Sequence, residues 1–464
     1  MFLDQYSKVH CIGVGGIGIS AVAKFLVVKG KDVSGSDAVA SAIVDSVKML
    51  LAKGLGGAKP VHQEIWIGSK PENISKEIDL IVYSEAVPAD HPERVKAAEL
   101  GIPQLGHFDF LGELSKEYRT ICVTGTNGKS TTTAMTGKIF EEAGLDPTVF
   151  VGTLVPGWEL GNLRVGASDI LIIEGDEYKQ KMVKLWPETT VITNIAEDHL
   201  DVYRDLEHII STFAECADKT KGMVLLNRDD KNSMQLYSPQ RRTFGRYATP
   251  VYYRVNERKV VPGGQEFVFD GPMNLGSIEL KIPGEFNAYN AVAAAAVARE
   301  YDIHMTHIQK AMKAFPGVWR RFERVGEYRG AEIISDYGHH PDAIRGTIEA
   351  ARELFPNRRI VLCFQPHQHS RTKALFADFV KSFTYADAVV LPEIYHVEGR
   401  NEEEGKISSQ DLLDALQPTF DKPMFYAKDL DEAQRILEKE IQAGDVVLIM
   451  GAGNVDDLAR KLVQ

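Results

Sequence analysis

Residues 120–133 read TICVTGTNGKSTTT. The run 120–123 is β-branched and apolar, as in a strand. A glycine-bounded turn follows at 124–128, and Lys129-Ser130-Thr131 opens a helical stretch. A strand that runs through such a turn into a helix is a phosphate cradle. Its backbone N–H groups face the anion, Lys129 neutralises β/γ charge, and Ser130 offers a hydroxyl to Mg²⁺. The loop departs from G-x-x-x-x-G-K-[ST], because Val123 stands five positions before Gly128 and the glycine comes only at 125. Gly125, Thr126, Asn127, Gly128, Lys129, Ser130 and Thr131 are therefore expected to bind ATP.

The same order of strand, glycine turn and helix recurs at 9–18 and 445–454. Short β-branched runs alternate with helical stretches between them, the pattern of parallel sheets with helical crossovers. At 464 residues the chain is too long for one core, since cores stop growing near about 250–300 residues. Strands are expected near 9–14, 32–35 and 79–83 in a first domain over 1–118. A second domain, over 119–316, has strands near 120–123, 169–174 and 190–194 and ends at Phe315-Pro316-Gly317. The third covers 317–464, with strands near 331–335, 359–364, 387–391 and 445–449. The expected class is α/β: a Rossmann-like N-terminal domain, a P-loop ATPase-like central domain with a parallel sheet, and a Rossmann-like C-terminal domain. Glu402-Glu403-Glu404 is expected to be a solvated loop.

Lys and Arg number 53 against 65 Asp and Glu, a net charge of −12, which argues against a nucleic-acid surface. Phosphates must then be met by local cations, backbone N–H groups or a metal. The four cysteines lie far apart with no CxxC pair, so buried thiols in a reducing compartment are expected, not a disulfide framework. No run approaches eighteen apolar residues, and the N-terminal stretch has no long apolar segment. Neither a membrane span nor a signal peptide is expected, and the placement is cytoplasmic.

Gly13-Val14-Gly15-Gly16-Ile17-Gly18 follows an apolar strand and precedes a helix, with Asp37 nineteen residues further on. Gly13, Gly15, Gly16 and Gly18 let backbone N–H groups approach a pyrophosphate, and Asp37 accepts from a ribose or a base edge. The motif alone leaves NAD and other diphosphate-bearing nucleotides open. Downstream of the phosphate loop, one buried-strand pattern ends in Glu174 with Asp176 and Glu177 just beyond, and another ends in Asn194, followed by Glu197-Asp198-His199; these strand-end acids and the histidine are the candidates for Mg²⁺. Ser130, Glu174 and His199 are the expected Mg²⁺ ligands, hard oxygen donors with one imidazole.

Thr124–Thr131, the Glu-x-Asp-Glu run at 174–177, Thr-Asn-Ile-x-x-Asp-His-x-Asp at 193–201 and the 284–291 stretch GEFNAYNA resemble the Mur ligases, in that order. So do Arg320-Arg321-Phe322-Glu323, the 335–341 stretch SDYGHHP, the 364–372 stretch FQPHQHSRT and the 450–454 stretch MGAGN. The resemblance covers the whole chain. It implies an ATP-dependent amide-bond ligase of peptidoglycan precursor synthesis. Within the family, 13–20 and 337–341 resemble the member that joins L-alanine to the lactyl carboxylate of UDP-N-acetylmuramate. The tripeptide-recycling ligase acting on the same sugar nucleotide is the alternative, and an NAD-dependent dehydrogenase a more distant one. The alanine-adding pattern usually has His, Thr and Ser where this chain has Asn127, Ser130 and Tyr178.

The resemblance also implies roles for residues. Gly13–Gly18 and Asp37, with Ser84 and His107, hold uridine diphosphate and not NAD. Asn287 and Asn290 reach the adenine, Asp336 accepts from the ATP ribose, and Arg321 and Arg371 meet phosphate oxygens. Tyr337, His339, His367 and Arg371 hold the amino acid. Lys129, Glu174, His199, Arg321 and His340 are the expected catalytic set, ATP and Mg²⁺ the cofactors. Arg320 is expected to salt-bridge an acid. Because the phosphate loop and Arg321, Asp336 and Arg371 lie in different domains, the reaction is expected to need closure. A zinc site at His339-His340 or His367/His369 is not expected, nor are nucleic-acid or membrane partners. The chain is expected as a monomer or homodimer.

Overall fold

The computed structural model describes residues 2–53, 64–199, 202–272, 276–396 and 407–464. Leu200 and Asp201 of the 193–201 motif and the run Glu402–Glu404 lie outside the described residues. The chain packs as two compact units. The first comprises Met1–Ile195, Ile209–Phe244 and Ala293–His307. It opens with a five-stranded parallel sheet of β1 (Lys8–Ile12), β2 (Asp32–Asp37), β3 (Ile65–Ile67), β4 (Leu80–Tyr83) and β5 (Gln104–Gly106), ordered β3-β2-β1-β4-β5. The order reverses between β1 and β4, and ligand crevices form outside such switch points.

The phosphate loop rides on this unit's second sheet. Its strands are β6 (Arg119–Thr124), β7 (Thr148–Phe150), β8 (Leu163–Arg164), β9 (Ile170–Glu174), β10 (Thr189–Ile192), β11 (Val224–Asn227) and β12 (Arg241–Gly245). Within the unit they run β12-β11-β10-β6-β9-β7-β8, parallel except for β8 against β7. Ile121, Val123, Leu171, Ile172, Ile173, Val191 and Ile192 are fully buried, each worth about 2 kcal/mol of transfer free energy. Unbroken apolar runs of this kind mark strands covered on both faces.

The second unit comprises Ala196–His208, Gly245–Val292 and Ile308–Gln464. It contains an antiparallel meander, β13 (Tyr253–Val261), β14 (Gly264–Asp270) and β15 (Gly276–Leu280). It also carries a six-stranded sheet of β16 (Glu323–Tyr328), β17 (Ala331–Asp336), β18 (Ile360–Phe364), β19 (Ala388–Pro392), β20 (Met424–Ala427) and β21 (Val446–Met450). Its order is β16-β17-β21-β18-β19-β20, parallel except for edge strand β16. The register pairs Asp336 with Met450 and Met450 with Phe364, so three loop-bearing strand ends lie side by side.

The ten expected strands correspond to β1, β2, β4, β6, β9, β10, β17, β18, β19 and β21, within two residues at most ends. The meander β13–β15, the edge strand β16 and the short strands β3, β5, β7, β8, β11, β12 and β20 were not among them. All four cysteines are buried. Among the described residues no helix is long and apolar enough to cross a membrane.

Candidate functional site

At the β1/β4 switch point, Gly13 (φ +89°) turns the chain out of β1, and the N–H groups of Gly13 and Val14 both donate to Ser36 O at 2.8 and 3.1 Å. Gly15 donates its N–H to Asp37 Oδ2 at 2.7 Å. Asp37 thus braces the turn from the end of β2, the position from which it was expected to meet a ribose. Gly16 caps the helix Ile17–Val28 without a side-chain hydrogen bond, so the first N–H groups keep the open face that anions seek. A Cβ on Gly18 would stand 2.3 Å from His107 Cε1, and one on Gly13 would stand 3.1 Å from Ser84 Cβ. The structure therefore brings together Gly13, Gly15, Gly16, Gly18, Asp37, Ser84 and His107. Burial pushes His107 down to about 4, against the opposing pull of Glu85, so the ring is neutral near pH 7.

The phosphate loop hangs between β6, β9 and β10, whose register sets Val123 beside Glu174 and Thr124 beside Ile192. Gly125 (φ +133°) and Gly128 (φ +88°) take conformations that favour glycine. A Cβ on Gly125 would lie 2.1 Å from Thr193 Oγ1. Asn194 latches the loop: its Oδ1 accepts from Asn127 N–H (3.0 Å), its Nδ2 donates to Asn127 O (2.9 Å), and its carbonyl accepts from Thr126 N–H (2.9 Å). Gly128 caps the helix Lys129–Glu142 with no side-chain bond.

Lys129 Nζ donates to Gly125 O (2.7 Å) and Thr126 O (3.1 Å) and pairs with Glu177 at 2.8 Å. Burial alone would lower its ammonium, but Glu177, Asp176 and Glu174 hold it above its ordinary value. Ser130 Oγ donates to Glu174 Oε1 at 2.8 Å, and Glu174 Oε2 accepts from Gly152 N–H at 2.6 Å. Thr131 is buried in the first helical turn. The Ser130–Glu174 pair is thus in place, while His199 belongs to the second unit. Among the described residues no three His, Cys, Asp or Glu side chains gather in a metal-binding group.

In the second unit, Arg371, from the helix His369–Ala374, donates to Asp198 Oδ1 through Nε (3.1 Å) and Nη2 (2.8 Å), with both residues buried. Burial would raise the Asp198 carboxyl, yet Arg371, His199 and His339 hold it well below the usual carboxylate range. His199 (φ +55°) has Nε2 3.8 Å from Asp198 Oδ2. His339 Nδ1 lies 3.1 Å from Tyr337 O, and its Nε2 is 4.0 Å from Asp198 Oδ2. Burial and then Arg371 keep His339 well below its ordinary value, so it is neutral near pH 7. His367 Nδ1 is 3.5 Å from Arg371 Nη1, and its ring stacks on Tyr395 at 5.5 Å.

His340 is an N-cap: its Nδ1 accepts from Asp342 N–H (3.3 Å) at the start of Pro341–Leu354. Asp336 holds two turns, accepting from Gly338 N–H (2.6 Å) and Phe322 N–H (2.7 Å). Burial raises its carboxyl, against the opposing effect of Arg321. The Arg321 guanidinium stacks 4.7 Å above the Tyr337 ring. Arg320, expected against an acid, instead donates through Nη2 to Gly451 O (2.5 Å) and Gly453 O (2.9 Å), the carbonyls just past the end of β21. Asn287 Nδ2 donates to Pro283 O (2.7 Å) and Asn290 Nδ2 to Asn287 Oδ1 (3.2 Å), both within the start of the helix Glu285–Glu300.

Sequence reasoning placed Glu177, Asn194 and Asp198 among the strand-end polar residues near the phosphate loop but gave none of them a partner or a role. Their signal was a polar residue just past a buried strand. It also missed Tyr395. This ring borders a cavity of about 530 Å³ that opens past the ends of β18, β19, β20 and β21 and is lined by Gln365, Lys428, Asn454 and Asp457.

Three sequence families match the chain in succession: the Mur ligase family catalytic domain over residues 8–119, the Mur ligase middle domain over 123–298 and the Mur ligase glutamate ligase domain over 320–453. A UDP-N-acetylmuramate–L-alanine ligase of Alkaliphilus metalliredigens is 38% identical over 99% of this chain and 97% of its own length. One from Geotalea uraniireducens is 37% identical over 99% and 98%. The crystal structure of a UDP-N-acetylmuramate–alanine ligase from Thermotoga maritima superposes with a TM-score of 0.83 at 28% identity, covering 98% of both chains. A murein peptide ligase from Psychrobacter arcticus has the same fold, with a TM-score of 0.71 at 21% identity over 98% of both chains.

Proposed function

The chain belongs to the Mur ligase family, and from that membership we propose that it joins L-alanine to the lactyl carboxylate of UDP-N-acetylmuramate, with ATP converted to ADP and phosphate. The observation that carries the reading is the end-to-end match to L-alanine ligases, 38% identical over 99% of the chain. The likeness to the murein peptide ligase is one of fold, so the tripeptide acceptor has less support. The enzyme is an ATP-dependent acid–amino-acid ligase of peptidoglycan synthesis, assigned to the cytoplasm, where its nucleotide substrates are made. Residues 1–118 are assigned to the sugar nucleotide, 119–316 to ATP and 317–464 to the amino acid. The assembly is a monomer or homodimer.

A lactyl carboxylate oxygen attacks the γ-phosphorus, ADP leaves, and the alanine nitrogen then attacks the acyl carbon and expels phosphate. Two anions must first meet. Unit charges 4 Å apart repel by about 4 kcal/mol at an effective dielectric near 20. Lys129 offsets part of this by exchanging Glu177 for a phosphate oxygen, and Arg321 and Arg371 supply further positive charge. The Ser130 hydroxyl and the Glu174 carboxylate, 2.8 Å apart, are hard oxygen donors that suit Mg²⁺, with His199 a further proposed ligand. When bound, the ion neutralises β- and γ-phosphate charge.

Alanine arrives as an ammonium and must lose a proton before its nitrogen attacks. With His339 Nδ1 turned to the Tyr337 carbonyl, Nε2 of the neutral ring carries the lone pair that accepts it. Asp198 fixes the Arg371 fork through two donors, ready for the amino-acid carboxylate.

The test is phosphate release from ATP with UDP-N-acetylmuramate and, in turn, L-alanine, glycine, L-serine and the L-Ala-γ-D-Glu-diaminopimelate tripeptide. Turnover with L-alanine is expected. Turnover with the tripeptide alone would reassign the acceptor.

A further inference from the structure

The segment between β7 and β8, residues 151–162, belongs to the first unit. Asn162 is fully buried. Its Nδ2 donates to Ile17 O (2.5 Å) and Ser20 Oγ (2.8 Å), and its Oδ1 accepts from Lys24 Nζ (3.0 Å). All three partners lie on Ile17–Val28, the helix that the glycine turn opens. Lys24 is the one charged residue in that helix, IGISAVAKFLVV. It is buried, and its ammonium rests on two neutral oxygens, Asn162 Oδ1 and Leu160 O (3.0 Å). Burial pushes it down to about 8. A lysine held this way is costly in an otherwise apolar helix.

The same segment grips the phosphate-loop side. Trp158 packs on Gly137 of the helix Lys129–Glu142, where a Cβ would meet ring Cη2 at 3.0 Å. Its Nε1–H donates to Glu141 Oε2 at 3.0 Å. Val151 N–H donates to Asn162 O at 3.2 Å. The next residue, Gly152, donates its N–H to Glu174 Oε2, whose other oxygen takes the Ser130 hydroxyl. Twelve residues thus hold the helix behind the glycine turn, the helix behind the phosphate loop, and the carboxylate facing that loop. Of these contacts only the Val151–Asn162 bond continues the β7–β8 register; the others reach outside the hairpin.

We propose that segment 151–162 couples the two nucleotide sites, with Asn162 as its positioning residue: Asn162 follows the glycine-turn helix, and Gly152 sets Glu174 against Ser130. The inference rests on the ligase reading for the identity of the two ligands. By linkage the coupling is reciprocal: each ligand tightens the other by the same factor.

The test measures the Kd of UDP-N-acetylmuramate by calorimetry, with and without a non-hydrolysable ATP analogue and Mg²⁺. The wild-type chain is expected to bind it about fivefold or more tightly with the analogue present, within the usual range of such couplings. In Asn162→Ala that ratio falls to within about twofold of one, while each ligand alone binds nearly as before. Ser20→Ala, which removes one acceptor and spares the rest, gives an intermediate ratio if Asn162→Ala folds poorly. A residue that merely stabilised the fold would leave the ratio unchanged. A wild-type ratio of one overturns the coupling, as does an undiminished ratio in folded Asn162→Ala or Ser20→Ala. A wild-type chain that binds the analogue but not the sugar nucleotide overturns the ligase reading, and the coupling with it.

Discussion

Glu177 lies 2.8 Å from the Lys129 ammonium and is almost wholly buried. Lys129→Met removes the neutralising cation and strands that carboxylate. The expected loss in kcat is about 100-fold or more, and the thermal midpoint also falls, since an uncompensated buried charge costs about 3 kcal/mol. Glu177→Gln separates the effects by keeping Lys129, whose ammonium still has Gly125 O, Thr126 O and the nearby Asp176 and Glu174; a midpoint drop as deep as that of Lys129→Met would count against the pairing argument. A second residue-scale expectation concerns acid. The His107 ring is neutral in the fold down to about 4, whereas an unfolded histidine protonates near about 6.5. Between those values the unfolded chain binds more protons, so stability falls as pH drops through the window by up to about 1.4 kcal/mol per pH unit. Urea midpoints from pH 7 to 4.5 should fall less steeply for His107→Gln, and parallel slopes would refute this. Lys129 and Ser130 were legible because Gly-Lys-Ser stands between an apolar strand and a helix, the context of a phosphate loop. That Lys129 meets Glu177 and not Glu174 was not legible, because partners on separate strands are chosen by register.

Helix starts divide by what stands at the cap. Ser408 and Asp411 form a capping box, Asp429 accepts from Glu432 N–H, and His340 accepts from Asp342 N–H. The two helices behind the nucleotide turns begin at bare glycines. His340→Ala should therefore cost about 1 kcal/mol of stability. His340→Asn, another capping residue, should restore it with turnover within a few-fold of wild type. A large kcat loss in His340→Asn would support the catalytic role expected of it. Buried strands were legible because unbroken apolar runs such as Ile170–Ile173 admit few other readings. The β13–β14 hairpin was not among the expected elements, although Pro262-Gly263, with Gly263 at φ +85°, is a turn signal. Its strands alternate buried with more exposed residues, a weaker signal than the unbroken apolar runs of the parallel strands.

Across the whole molecule, three sheets follow the chain order while the packing units interleave it: 196–208 and 245–292 group with 308–464. A reading along the chain divides it into contiguous pieces, and packing has no such restriction. The net charge of −12 sets no bar to nucleotide binding, because the cations that matter are few and local. At 100-fold excess over Kd, ATP with Mg²⁺ should stabilise the chain by about 2.7 kcal/mol, seen as a raised thermal midpoint. NAD at the same concentration should leave it unmoved, and the opposite pattern would favour the dehydrogenase reading.

The four cysteines are buried, with Cys11 and Cys363 pushed up to about 12 by burial and Cys122 raised well above its ordinary value. To a maleimide at neutral pH the native surface therefore offers no thiol. Cysteines introduced at Tyr237 and Tyr385, whose side chains are exposed, would each take a dye without background, one on each unit. The chain is thus ready for single-molecule fluorescence during turnover without first being stripped of its own sulfur.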